Sequence, residues 1–136
     1  LNIGDCLFGN RLAYIFSNPK RGDIITFKAP DDEDTIYVKR VIGIEGDIIK
    51  INNGYVWRNN DLLDEKYIYE PMNHDGFSET FEVPKGCVFV MGDNRNNSFD
   101  ARYWNNHYVS KDKIISKLEM KYYDGEKKYF CIKWVR

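Results

Sequence analysis

Short apolar segments of β type follow one another along this chain, and turn-forming residues separate them. The segments are rich in Ile, Val, Phe and Tyr, and Gly, Asn, Asp or Pro stands at their ends. Because helical periodicity is nearly absent, this succession predicts a mostly β domain. The predicted strands, besides two segments near the C-terminus, are Asp23–Phe27, Thr35–Ile44, Asp47–Ile51, Tyr55–Arg58 and Cys87–Met91.

Two dipeptides predict tight hairpins. Asn53-Gly54 joins KIN to YVW, and Asp124-Gly125 joins MKYY to EKKYFCIKW. Both dipeptides favour type I′ turns, because Asn, Asp and Gly tolerate the positive φ angles that such turns require. Helical turns are expected only at Leu7–Phe16 and Lys111–Ser116.

The length of 136 residues is that of one domain. The polar stretch Asn59–Thr80 interrupts the β pattern, since it has no clean alternation and contains Pro71 and Gly76. We therefore predict one domain over residues 1–136, with a small inserted subdomain at about 52–80.

Composition excludes several classes of function. Lys and Arg number 20 against 21 Asp and Glu, which gives a net charge of −1, whereas a nucleic-acid partner would call for a basic stripe. No apolar run reaches the roughly 20 residues that cross a bilayer. Cys6, Cys87 and Cys131 lack a Cys-x-x-Cys spacing, so neither a disulfide framework nor a zinc site is expected.

The segment Tyr37–Gly43 (YVKRVIG) places a cation on each face of an apolar strand. Lys39 and Arg40 are consecutive, so their side chains point to opposite faces. One interpretation is an edge strand whose cations reach water and hinder aggregation. The other is that Lys39, with an ordinary pKa of about 10.4, is desolvated, loses its proton and acts as a general base.

The segment Gly92–Trp104 (GDNRNNSFDARYW) is dense in charge and directly follows an apolar predicted strand. Its asparagines are typical of a polar turn in which side chains bond to their own backbone. A turn alone does not account for two Asp, two Arg and a Ser between that strand and Tyr-Trp. Charges held there need partners, so the segment predicts a small ion-pair network.

These two segments, with RGDIITFKAP at Arg21–Pro30, resemble the conserved boxes of bacterial type I signal peptidases. The family boxes read approximately RGDIVVFxxP, Y(I/V)KRVIGxxGD and MGDNRxNSxDSRxW, and this chain has its versions in the same order. LNIGD at Leu1–Asp5 resembles the family segment that follows Ser-Met-x-Pro-Thr. The resemblance extends to about Trp104. It implies a signal-peptidase-like β fold of coiled antiparallel sheets with an inserted subdomain and few short helices.

The resemblance implies a membrane-associated serine endopeptidase that removes signal peptides from secreted preproteins after small residues, typically Ala-x-Ala. The signal peptide would bind as an added β-strand, and a Ser–Lys pair would cleave it through an acyl-enzyme. The implied location is the bacterial cell membrane, with a single-pass anchor upstream and the catalytic domain on the extracytoplasmic side. The implied partners are signal peptides and the membrane surface; no nucleic acid, metal or other cofactor is implied.

Carried over position by position, the resemblance gives Lys39 as the general base and Ser98 as the residue that orients its amine. The nucleophilic serine would lie five residues before Leu1, in a Ser-Met-x-Pro-Thr segment that this sequence does not contain. Because Leu1 is not an initiator Met, we expect sequence upstream, and we expect the chain by itself to be inactive. The serines that match no nucleophile position are Ser17, Ser78, Ser98, Ser110 and Ser116.

Other family positions shape the site or line it. Arg40 with Asp93, and Asp100 with Arg102, match positions that form ion pairs around the family's catalytic residues. Ala101 departs from the family, which usually has Ser there. The histidines, at positions 74 and 107, are interpreted as surface or loop residues. Positions that line the family's substrate pockets correspond to Leu1, Leu7, Thr26, Tyr37 and Val38.

Three other interpretations stay open. A self-cleaving repressor-type Ser–Lys protease shares the chemistry, but the GDNR box with its following DxR argues against it. A catalytically dead peptide-binding module of the same fold would lack the serine ahead of Leu1. A purely structural β domain would use Lys39 only for packing or solubility.

Overall fold

The computed structural model describes residues 8–119, which are mostly β. Among these residues the helical elements are two short 3-10 helices, Arg95–Asn97 and Lys111–Lys113. The predicted fold class is therefore confirmed. In chain order the strands are β1 (Phe8–Asn10), β2 (Ile24–Ala29), β3 (Asp32–Ile44), β4 (Ile48–Asn52), β5 (Tyr55–Arg58), β6 (Asp61–Leu62), β7 (Ser78–Glu82), β8 (Cys87–Met91), β9 (Val109–Ser110) and β10 (Ile114–Glu119).

The strands form two antiparallel sheets. The larger sheet has six strands in the order β1-β10-β2-β3-β8-β9, and the smaller has four in the order β6-β5-β4-β7. The long strand β3 pairs with β2 along Ile36–Arg40 and with β8 along Arg40–Ile44. β3 therefore lies between β2 and β8 in the larger sheet, and the chain then turns into β4 of the smaller sheet.

The predicted strands and the first hairpin agree with the structure. The bounds of β5 and β8 are those predicted, and β2, β3 and β4 differ from the prediction by a few residues. Asn53 and Gly54 have φ angles of 48° and 83°, and Asn52 pairs with Tyr55 across them. Asp124-Gly125 and its two flanking segments lie outside the described residues.

The predicted helical turns are wrong in part. Phe8–Asn10 is strand β1, and residues 11–15 form turns rather than a helix. In the second segment only Lys111–Lys113 is helical, and Ile114–Ser116 opens β10. The reason is tertiary, since β10 lies between β1 and β2 and its backbone groups are satisfied by cross-strand hydrogen bonds.

The core contains side chains from both sheets, and β3 comes close to the smaller sheet at Gly43. A Cβ atom there would lie 2.9 Å from Ile49 Cδ1 and 3.3 Å from Val83 Cγ2. A side chain at this position would force Ile49 and Val83 to move, so glycine favours this close approach of β3 to the smaller sheet. Fully buried core side chains include Ile25, Phe27, Val41, Ile49, Ile51, Val56, Phe89 and Val90.

The polar stretch Asn59–Thr80 contributes β6, an irregular segment and the beginning of β7. Because β7 pairs with β4, the stretch completes the smaller sheet. Its description as a separate subdomain stays a prediction. Among residues 8–119 no helix is long and apolar enough to cross a membrane.

Substitution of Gly43 by Val is expected to destabilise the fold by about 1–3 kcal/mol, because the added methyl groups overpack the junction of the two sheets. Urea denaturation followed by tryptophan fluorescence measures this loss. Ile36→Val is the matched control, since Ile36 lies on the same strand with 60% of its surface exposed. Equal stabilities of the two variants would contradict the close packing at Gly43.

Candidate active site

The register of β3 and β8 brings Lys39 to the charged segment. Arg40 pairs with Met91, the last residue of β8, so Lys39 lies beside the point where the chain leaves that strand. We call the residues that follow, Gly92–Arg102, the charged loop. Ser98 leaves the short 3-10 helix of this loop in an extended conformation, and its Oγ accepts a hydrogen bond from Lys39 Nζ at 2.9 Å.

Gly92 makes this contact possible. A Cβ atom at Gly92 would lie 2.1 Å from Ser98 Oγ and 3.6 Å from Lys39 Nζ. Any side chain at this position would push the serine hydroxyl away from the amine. The glycine's amide also donates to Asp100 Oδ2 at 2.9 Å, which ties the start of the loop to its end.

The Lys39 amine is held in a mostly desolvated position near the Tyr37 ring, whose centroid is 5.6 Å from Nζ. Burial lowers the pKa of Lys39 below its ordinary value, and the charge of Arg102 lowers it further. The carboxylates of Asp100 and Asp93 oppose this effect without reversing it. A lysine in this state gives up its proton more readily than an exposed one.

Arg40 and Asp93 form one of the two predicted ion pairs. Arg40 Nε and Nη2 donate to the two carboxylate oxygens of Asp93, each at 2.8 Å. A third donor, Nη1, reaches the carbonyl of Gly22 at 3.0 Å. This bidentate geometry fixes the start of the charged loop to β3 and to the turn before β2.

Asp100 and Arg102 form the second pair, and both are almost fully buried, with 0% and 3% of their surface exposed. Arg102 Nε and Nη2 donate to the Asp100 carboxylate at 2.8 and 2.9 Å. Arg102 Nη2 also donates to the Arg95 carbonyl at 2.8 Å. The pair therefore closes the charged loop on itself beside Lys39.

The predicted pocket residues fall on two faces of the sheet. Tyr37 lies on the Lys39 face and stacks on Trp104, with ring centroids 5.6 Å apart and planes inclined by 8°. Thr26 and Val38 are cross-strand partners, so they share the opposite face. Thr26 is buried there, and its hydroxyl bonds to Ser116 Oγ at 2.7 Å. Leu1 and Leu7 lie outside the described residues, and all pocket roles stay predictions.

Sequence reasoning missed a set of contacts behind the charged loop. Glu65 lies in the polar stretch and pairs with Arg95 of the loop. Arg95 has only 2% of its surface exposed, and its position between Asn residues gave no sign of burial. Glu65 stands among other charged residues in DLLDEKY, so nothing in the local pattern distinguished it from a solvated residue.

Comparison with protein families gives one match over most of the chain. The family described as "Signal peptidase, peptidase S26" matches residues 1–123. A probable signal peptidase I-1 of Synechocystis sp. is 36% identical over 134 residues, covering 93% of this chain and 66% of that protein. A chloroplastic thylakoidal processing peptidase 1 of Arabidopsis thaliana is 35% identical over 114 residues, covering 76% of this chain and 33% of that protein. The chain thus spans less than two thirds of each of these relatives.

A solved structure shares the fold. The crystal structure of a signal peptidase I from Enterococcus faecalis V583 superposes with a TM-score of 0.65 and 27% sequence identity. The match covers 76% of this chain and 98% of that one.

Burial of Lys39 predicts that its amine titrates at a lower pH than the amine of an ordinary exposed lysine. A pH titration of the Lys39 side-chain ¹³Cε shift by NMR measures the midpoint. Because the folded pKa of Lys39 lies below its unfolded value, the unfolded chain holds this proton more tightly, and stability rises with pH between the two values. A Lys39 midpoint at the ordinary lysine value would show that this amine is as hydrated as a surface residue.

Proposed function

Because the chain belongs to the signal peptidase family, peptidase S26, we propose that it is the catalytic part of an endopeptidase that removes signal peptides by Ser–Lys chemistry. The observation that carries the proposal is the desolvated Lys39 amine, 2.9 Å from Ser98 Oγ, beside a loop of paired charges. The substrates would be secreted preproteins, cleaved after small residues in an Ala-x-Ala pattern.

In the proposed reaction Lys39 is the general base. The nucleophile is the serine of a Ser-Met-x-Pro-Thr segment, five residues before Leu1. Neutral Lys39 takes the proton of that serine while its oxygen attacks the scissile carbonyl. The ester acyl-enzyme that results is hydrolysed by water.

Ser98 orients the base. A neutral amine has two N–H donors and one lone pair, so the bond that Lys39 Nζ donates to Ser98 Oγ leaves the lone pair free. That lone pair can then accept the proton of the nucleophile. The ion pairs Arg40–Asp93 and Asp100–Arg102 keep the charged loop closed around the amine.

A free strand edge supports the proposed mode of substrate binding. β2 pairs with one edge of β3 along Ile36–Arg40, whereas β8 pairs with the other edge only from Arg40 onward. Among the described strands, none covers that second edge at Thr35–Lys39. An extended signal peptide could add there as a strand, with backbone hydrogen bonds giving affinity. Its scissile bond would then lie near Lys39.

The proposed location is the membrane surface, through an anchor upstream of this sequence and with the catalytic domain on the extracytoplasmic side. Three apolar side chains of the turn that follows β1 are exposed: Leu12 by 70%, Ile15 by 60% and Phe16 by 98%. Exposed apolar side chains of this kind suit contact with a lipid interface.

The same free edge would also serve a peptide-binding module without catalysis. The residues ahead of Leu1 in the natural protein discriminate between the two functions. Ser followed by Met-x-Pro-Thr supports the peptidase, whereas another residue at the serine position favours the binding module.

The experiment that tests the proposal replaces Lys39 in a longer protein that includes the Ser-Met-x-Pro-Thr segment. Lys39→Ala and Lys39→Arg should each lower cleavage of an Ala-x-Ala reporter peptide by about 10²–10⁴-fold, the usual worth of a general base. The Arg variant keeps the charge but cannot lose its proton at working pH. Chromatographic product analysis measures the rates.

Lys50→Arg, at an exposed position of β4, is the control for that series and should cleave at the parental rate. Parental activity in Lys39→Ala would instead show that Lys39 is not the general base and would overturn the proposed Ser–Lys chemistry. The 136-residue chain alone should not cleave the reporter, and robust turnover by the pure chain would show that the nucleophile assignment is wrong.

A further inference from the structure

The polar stretch behind the site makes a continuous set of contacts with the charged loop. We call its residues Glu65–Asn73 the clasp segment. Asn96 of the loop is held from both sides, since its Nδ2 donates to Glu70 Oε1 at 2.9 Å and its Oδ1 accepts from Asn73 N at 2.7 Å. Three further contacts join the clasp segment to the site: Tyr69 N to the Asp93 carbonyl (2.9 Å), Arg102 Nη1 to Met72 Sδ (3.3 Å) and the Arg40 guanidinium to the Tyr67 ring (4.2 Å).

The strongest of these contacts is an ion pair between Glu65 and Arg95. Arg95 Nη1 and Nη2 donate to the two Glu65 oxygens at 2.7 and 2.5 Å. The Arg95 side chain is fully buried, and 8% of the Glu65 side chain is exposed. A buried guanidinium needs a partner, and a bidentate carboxylate satisfies it with fixed geometry.

Arg95 transmits this constraint to the reacting groups. Its Nε donates to the Gly92 carbonyl at 3.0 Å. Gly92 is the residue on whose missing side chain the Lys39–Ser98 contact depends. The Glu65 carboxylate is therefore linked to the Ser98 hydroxyl through the Arg95 guanidinium and the Gly92 backbone.

We propose that the clasp segment holds the charged loop in its working conformation, and that Glu65 is a positioning residue that fixes Ser98 against Lys39 through Arg95. The inference rests on the proposed function, because it assigns a task to residues around the same general base. It gives the polar stretch a role in catalysis that does not involve contact with the substrate.

The first test is the titration of Lys39 in the 136-residue chain, which needs no catalysis. The charged groups that act on this amine, Asp100, Arg102 and Asp93, all belong to the charged loop. Glu65→Gln should loosen that loop and admit water, so the Lys39 midpoint should move upward, toward the ordinary value of an exposed lysine. Side-chain NMR measures the shift.

The matched control is Asp64→Asn. It removes the same charge from the adjacent residue, whose side chain is 75% exposed and pairs with Lys66 at 3.3 Å. It should leave the Lys39 midpoint unchanged. Equal behaviour of Glu65→Gln and Asp64→Asn would overturn the positioning role of Glu65.

The second test measures turnover in the longer protein with the Ser-Met-x-Pro-Thr segment. Glu65→Gln should lower kcat for the Ala-x-Ala reporter by about 10- to 100-fold, the scale expected when a reacting group is misplaced. KM should change less than twofold, because the strand edge that binds substrate is on β3. A rise in KM with kcat unchanged would contradict the inference.

Glu65→Gln leaves the buried Arg95 without its carboxylate, which can prevent folding. The double variant Glu65→Gln/Arg95→Met removes that unpaired charge, so the positioning role of Glu65 can be tested in a folded protein. It should fold and still have low kcat, because the bond to the Gly92 carbonyl is gone. Parental kcat in the folded double variant would overturn the inference.

The two proposals fail in distinguishable ways. Cleavage that survives Lys39→Ala overturns the proposed function, and the Lys39 midpoint then remains the test of the clasp segment. If cleavage is lost in Lys39→Ala but intact in Glu65→Gln, only the proposed positioning role of the clasp segment is overturned.

Discussion

Buried charges can be tolerated only where each has a partner, and the structure around Lys39 depends on this constraint. Arg95, Asp100 and Arg102 are each at most 3% exposed, and every one of them takes part in a bidentate ion pair. Because these pairs have fixed geometry, the charged loop can adopt few conformations. A loop of this composition with free charges would instead extend into water.

The closed loop creates the conditions for chemistry at Lys39. An amine beside three charged groups keeps its proton or loses it according to how much water reaches it. Here desolvation has the largest effect, and the opposing carboxylates do not cancel it. The loop also places the Ser98 hydroxyl within hydrogen-bonding distance of the amine, so one structural unit sets both the pKa and the orientation of the proposed base.

Much of the β architecture was predictable because its signals are local. Short apolar segments bounded by turn residues gave β5 and β8, and a turn dipeptide gave the Asn53-Gly54 hairpin, since these features are settled by neighbours in sequence. The helical turns at Leu7–Phe16 and Lys111–Ser116 were wrong in part because the pairing of β1 and β10 overrode local preference. The ion pairs Arg40–Asp93 and Asp100–Arg102 were anticipated from the family resemblance rather than from spacing.

By itself the sequence determined the mostly β class and which residues could carry chemistry, because residue type and local pattern are properties of the chain. Only the tertiary structure decided that Glu65 meets Arg95, 30 residues away, and that Gly92 leaves room for Ser98 beside Lys39. Charged residues in a polar stretch look alike in sequence whether they face water or a buried partner. The difference arises from the folded backbone, which brings distant groups together and excludes water between them.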